Sequence, residues 1–182
     1  MNIAVYCSSR PELGETYEAP ARALGKWIGE NGHTLVYGGV NAGMMHILAQ
    51  AAHDAGAHII GVVPMRFLAR TDAVVSEVVE CHDLGDRKVL MMDKADAFVV
   101  LPGGLGTLDE WLSTLSQIVV NVDDRRPILV VNTLGIYTHQ LQQLRETAAS
   151  PFARGNHIDR SIEVADAPQL IETLNKISNP CV

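Results

Sequence analysis

Cysteine and lysine are scarce in this chain, aromatic residues make up only 5%, and no long apolar run is present. Each shortage excludes something. Cys7, Cys81 and Cys181 are odd in number and far apart, so neither a disulfide framework nor a metal-ligand spacing is expected. The four lysines are Lys26, Lys88, Lys94 and Lys176. Only Lys88 falls near the glycine-rich segments, and its surroundings offer no clear Schiff-base arrangement for pyridoxal phosphate. No stretch approaches the ~20 apolar residues that span a bilayer. The first residues, Met1-Asn2-Ile3-Ala4-Val5-Tyr6-Cys7, open a strand without a cationic region, apolar core and cleavage site, so a cytoplasmic protein is expected. Basic side chains number 14 against 21 acidic ones, for a net charge of −7. A long polyanion such as duplex DNA is a poor partner for that balance, whereas a small phosphorylated ligand needs only a local positive site.

What is present fits one compact α/β domain over residues 1–182, with 47% hydrophobic and 19% charged residues and no repeat or linker-like stretch. Short apolar, β-branched runs at 3–7, 34–37, 59–63, 97–101 and 128–132 predict strands, with a weaker pair at 75–80 and 161–164. Continuous apolar runs are what strands buried on both faces of a parallel sheet look like. Between them lie helical patterns: one marked by Ala21, Leu24, Trp27 and Ile28 and ended by Asn31-Gly32, then 42–55, 83–95, one marked by Leu108, Trp111, Leu112, Leu115, Ile118 and Val119, then 137–149 and 167–177. The alternation predicts a Rossmann-like, doubly wound, mostly parallel sheet with helices on both faces. Ligands of such folds sit beyond the carboxyl ends of the strands, which selects the segments after Cys7, Tyr37, Val63 and Leu101.

The segment after Leu101 reads Pro102-Gly103-Gly104-Leu105-Gly106-Thr107-Leu108-Asp109-Glu110. Three glycines let backbone N–H groups approach a ligand, and the following helix adds unsatisfied donors and the positive end of its dipole. This is a phosphate cradle, although no Lys-Ser or Lys-Thr follows to make a P-loop; a tight turn needing glycine only for its backbone angles is the plainer alternative. Thr107 and Glu110 have capping-box spacing. At about 100° per residue, Glu110 points away from the Leu108–Trp111–Leu112–Leu115 stripe and is free to border the cradle. Upstream, Asp83 is a good N-cap, and Arg87 and Lys88 flank an apolar stripe of Leu84, Met91 and Ala95. They either snorkel and pair with nearby acids or balance an anionic substrate and Glu110. Two further turns fall at the same edge: Tyr37-Gly38-Gly39-Val40-Asn41-Ala42-Gly43-Met44-Met45, and Cys7-Ser8-Ser9-Arg10. Their convergence predicts a nucleotide pocket at the topological switch point. His46 and His53 align on a helix but lack a third ligand, so no metal is expected. Cys7, without a histidine partner, reads as packing, and Met44, Met45, Met91 and Met92 read as core or interface.

These motifs resemble the Lonely Guy (LOG) proteins, cytokinin-activating nucleotide phosphoribohydrolases often mislabelled as lysine decarboxylases. The resemblance runs from Ile3 to about Ile177. It is carried by the intact P-G-G-x-G-T-x-x-E of Pro102 to Glu110, by Arg87-Lys88, and by the turn Gly38 to His46, similar to G-G-G-x-x-G-L-M-G. Val40 and His46 stand where that turn has its third and last glycines, and Leu84-Gly85 stands where the family has Met-His. The resemblance implies hydrolysis of the N-glycosidic bond of a nucleoside 5′-monophosphate, of AMP or cytokinin riboside type, to free base and ribose 5-phosphate. It implies catalytic roles for Arg87 and Glu110. Ser8, Ser9, Gly38, Gly39, Gly43, Met44, Leu84, Lys88, Gly103, Gly104, Gly106 and Thr107 would bind substrate, with no metal or other cofactor. It also implies a homodimer, to which the Met44–Met45 region is one possible contributor. The alternative on the same fold is a non-catalytic carrier of a nucleotide or of molybdenum cofactor.

Overall fold

A computed structural model describes residues 1–121, 123–153 and 160–178; Cys181 lies outside them. Seven strands form a single sheet: β1 (Asn2–Tyr6), β2 (Thr34–Tyr37), β3 (His58–Pro64), β4 (Glu77–Cys81), β5 (Ala97–Val100), β6 (Ile128–Val131) and β7 (Ser161–Val164). Among the described residues five α-helices lie in the connections, α1 (Glu15–Glu30), α2 (Gly43–Asp54), α3 (Leu84–Lys94), α4 (Leu105–Val120) and α5 (Thr138–Ala148), a 3-10 turn joins β3 to β4, and α6 (Ala167–Ser178) follows β7. The strand order is β4-β3-β2-β1-β5-β6-β7, and every pairing is parallel, a stricter arrangement than the mostly parallel sheet expected.

The apolar runs are continuous because both sheet faces are covered. Ile3 and Val5 face α1, α2 and α6, whereas Ala4 and Tyr6 face α3, α4 and α5. Gly25 and Gly29 let α1 and α2 touch backbone to backbone: a Cβ on Gly25 would lie 2.4 Å from the Leu48 carbonyl oxygen, and one on Gly29 would lie 2.5 Å from the Ala55 Cβ.

The chain reverses its winding between β1 and β5. Leu101 donates its N–H to the Tyr6 carbonyl at 2.9 Å, and Ser8 donates to the Pro102 carbonyl at 3.2 Å. The turns after β1 and β5 are thereby stitched together. Helix α1 starts well before the stripe at Ala21, because periodicity marks only the turns that pack. The Met44–Met45 region departs from expectation as an interface, since both side chains are buried within the protomer. Two short 3-10 turns, Met65–Arg70 and Thr133–Gly135, carry no periodic signal.

Candidate functional site

A cavity of about 380 Å³ opens at the carboxyl edge of the sheet, over the β1/β5 switch. Its lining comes from all four turns that the strand-end rule selects: Cys7, Ser8, Ser9 and Arg10 after β1, Val40 and Met45 after β2, Phe67 and Arg70 after β3, and Gly104 to Thr107 with Glu110 after β5; α3 contributes Arg87. The volume suits a small ligand.

At the β5 end, helix α4 starts at Leu105 with Gly104 as its N-cap, so the expected Thr107–Glu110 capping box does not form. The helix begins three residues too early for Thr107 to cap it. Thr107 instead tucks beneath Gly103, where a Cβ would come within 2.1 Å of Thr107 Oγ1; that residue has to be glycine. A Cβ on Gly104 or Gly106 would meet no protein atom within 4 Å, which leaves the first amides of α4 open to the cavity. The 16-residue helix places the positive end of its dipole there.

Glu110 sits one turn along α4, 7% exposed. It lies at the edge of the buried face rather than opposite the apolar stripe: Thr107, Trp111, Thr114, Leu115 and Ile118 are buried, whereas Leu112 is 42% exposed. Packing has rotated the helix so that Glu110 borders the cavity from below. Arg87 reaches it from α3, whose start is fixed by the Asp83 carboxylate accepting the Gly85 and Asp86 N–H groups at 2.7 and 3.0 Å. The Arg87 guanidinium pairs with the Glu110 carboxylate, the two side chains being 14% and 9% exposed. Gly38 makes room for this reach, because a Cβ there would lie 3.2 Å from Arg87 Nη1. Arg87 Nε is buried without a hydrogen-bond partner among the described residues. Burial pushes the Glu110 carboxyl above its ordinary value, more strongly than Arg87 pulls it down. The same burial raises the Cys7 thiol, which keeps it protonated and unreactive.

Of the expected site residues, Ser8, Ser9, Arg87, Gly104, Gly106, Thr107 and Glu110 meet around the cavity. Gly103 lines an adjoining cavity of about 320 Å³, which shares Ser8, Arg10 and Gly104 with the first. The others stand off the lining. Met44 is buried in the core and its neighbour Met45 takes the cavity position. Gly39 and Gly43 adopt positive φ and shape the β2–α2 turn, which passes under the Arg10 carbonyl. Leu84 is exposed on α3. Lys88 is held by Asp109 at 2.8 Å and Ser113 at 3.1 Å. Among the described residues no lysine borders the cavity, which counts against Schiff-base chemistry. Sequence reasoning gave no role to Arg10, Phe67 or Arg70. The strand-end rule had selected the segment after Val63, and its Arg-Phe-Leu-Ala-Arg stretch was the available signal. Arg10 and Arg70 are exposed and without an ion-pair partner among the described residues. Three arginines against one carboxylate give the cavity the local positive surplus that the acidic chain lacks overall.

A family model described as "Possible lysine decarboxylase" matches residues 45–174. A cytokinin riboside 5′-monophosphate phosphoribohydrolase of Arabidopsis thaliana is 34% identical over 98% of this chain and 83% of its own length. A probable enzyme of the same name from Oryza sativa subsp. japonica is 36% identical over 97% of this chain and 71% of its own. The chain belongs to the LOG family. By that membership it is an enzyme of the nucleotide N-glycosidase class. In fold it is similar to the molybdenum cofactor carrier protein of Chlamydomonas reinhardtii, with a TM-score of 0.74 and 21% identity over 97% of each chain. No helix among the described residues is long and apolar enough to cross a membrane.

Proposed function

We propose that this LOG-family enzyme hydrolyses the N-glycosidic bond of a nucleoside 5′-monophosphate of AMP or cytokinin riboside type, releasing free base and ribose 5-phosphate. The observation that carries the reading is a buried Arg87–Glu110 pair on the wall of the same cavity that holds the open α4 N-terminus. The cavity is ordered as a nucleotide is. The cradle lies at β5, Arg87 stands against Gly38 at the β2 end with Glu110 as its partner, and Phe67 and Arg70 follow β3. With strands ~4.8 Å apart, three spacings cover roughly 14 Å, about the reach of phosphate, ribose and base in line.

In this arrangement the amides of Leu105, Gly106 and Thr107 hold the 5′-phosphate and fix the ribose, applying binding energy remote from the scissile bond. As the C1′–N bond breaks, its electron pair leaves with the base and positive charge grows on the ribose. The Glu110 carboxylate faces that charge and takes a proton from the water whose OH joins C1′; the departing base nitrogen takes up a proton from solvent and Glu110 returns its own, which balances the step. Its raised proton affinity suits a base. Arg87 opposes the effect of burial on Glu110 and orients its carboxylate. Among the described residues Glu110 is the one carboxylate lining the cavity, so the reading does not use a two-carboxylate glycosidase scheme. We further propose a cytoplasmic homodimer with no nucleic-acid partner; Leu84, Val89, Leu105 and Leu112, exposed on neighbouring α3 and α4, are an apolar surface available to a second copy.

The test is base release from a panel of nucleoside 5′-monophosphates, with Glu110→Gln and Arg87→Ala alongside. Loss of at least a hundredfold in both variants supports the assignment. Equal activity in all three proteins overturns it, and a wild type that retains a ligand but releases no base supports a carrier.

A further inference from the structure

The end of the cavity farthest from the phosphate cradle is walled by Val40 and Met45 from the β2–α2 turn and by Phe67 and Arg70 from the 3-10 turn after β3. These two segments are tied to each other. Val40 and Thr71 form an isolated antiparallel bridge. Asn41 donates its N–H to the Arg70 carbonyl, and Asp72 donates to the Gly39 carbonyl, each at 2.9 Å. The fully buried Asp72 carboxylate meets His46 Nδ1 at 2.7 Å. A glycine at 46 has no ring to make that contact. Phe67 has the Arg66 guanidinium 4.7 Å from its ring centroid and itself lines the cavity.

We propose that this tied wall is the base compartment and that Val40 sets its size limit, restricting the substrate to nucleotides whose base carries no bulky substituent. The inference rests on the phosphoribohydrolase reading and names the substrate class within it. Phe67 is the aromatic side chain that lines the cavity there, available to a planar base. Val40 is 7% exposed and branched at Cβ, which restricts its χ1. Its backbone is pinned from the Thr71 side, so the side chain does not swing aside to admit extra carbon atoms. A glycine at the same position would leave that space empty.

The test compares AMP with N6-isopentenyladenosine 5′-monophosphate on the same preparations, so that any loss of folded protein cancels from the ratio. In the wild type, kcat/KM favours AMP by roughly tenfold or more, the scale on which a close-packed pocket rejects extra methylenes. Val40→Ala moves the ratio roughly tenfold toward the substituted nucleotide, and Val40→Ile moves it the other way. The same ratio is read as Kd by calorimetry on Glu110→Gln protein, a measurement that needs no turnover. A wild-type ratio near one that Val40→Ala leaves unmoved, in either measurement, overturns the size limit. Absence of base release from the wild type with the Kd ratio and its Val40 response intact counts against the reaction and supports the compartment.

Discussion

Replacing Arg87 by alanine separates the electrostatics of the site from its packing. Glu110 is 7% exposed and Arg87 is its cationic partner, so the variant leaves a carboxylate buried and uncompensated. Breaking such a pair from one side costs about 3–5 kcal/mol, and residual solvent access at both side chains puts the expectation near the lower end. The chain relieves the cost by protonating Glu110, so the loss depends on pH. Burial already raises the folded-state proton affinity of Glu110 in the wild type. For a carboxyl whose folded value lies above its unfolded one, the folded state binds more protons within the window, and stability falls as pH rises through it. Without Arg87 the window widens upward. Urea unfolding followed by the fluorescence of buried Trp111 should therefore show Arg87→Ala destabilised by about 3 kcal/mol at pH 7.5, with most of it regained near pH 5. Adding Glu110→Gln to Arg87→Ala removes the stranded charge and should restore stability at pH 7.5, a non-additivity that a double-mutant cycle measures. A loss of equal size at both pH values, or a double variant no more stable than Arg87→Ala, refutes the buried-pair reasoning.

Other outcomes follow from the same geometry. Base release should fall on the acid side at a pH above the ordinary carboxylate range, since Glu110 must be ionised and burial raises it; a pH–rate profile with its acid limb at the ordinary carboxylate position would remove Glu110 as the base. Gly103→Ala should lower Tm measurably because its Cβ runs into Thr107, whereas Gly104→Ala, with open space at its Cβ, should stay within about 1 °C; equal shifts in a thermal scan would contradict the cradle geometry. Gly25→Ala drives a methyl into the Leu48 carbonyl and should cost about 2 kcal/mol, or roughly 4–8 °C of Tm; a neutral result would mean that α1 and α2 are less closely packed than described.

Much of the fold was legible because its signals are local. All seven expected strands formed, including the weaker pair, since β-branched runs between glycine and helical patterns have few other uses. Asp83 reads as an N-cap from sequence, and its carboxylate caps α3. The capping box at Thr107–Glu110 was equally regular in spacing and did not form, because spacing does not say where a helix starts. The segment 65–72 was the main omission. Its 3-10 turn has no apolar period, and its ties to the β2–α2 turn join residues about 30 positions apart, from Gly39 to Asp72.

The sequence by itself determined the alternation of strands and helices, the edge at which a ligand would sit, and the glycine cradle after β5. Each follows from residue types acting on their own backbone or on neighbours within a helical turn. The tertiary structure alone decided which side chains meet there. The Arg87–Glu110 pair depends on how α3 and α4 pack on the sheet, on Gly38 leaving room for the guanidinium, and on burial that alters the carboxylate's proton affinity. The far wall of Val40, Met45, Phe67 and Arg70 exists only because two turns are hydrogen-bonded across adjacent strands, and pairings at long sequence separation leave no periodic trace in the chain.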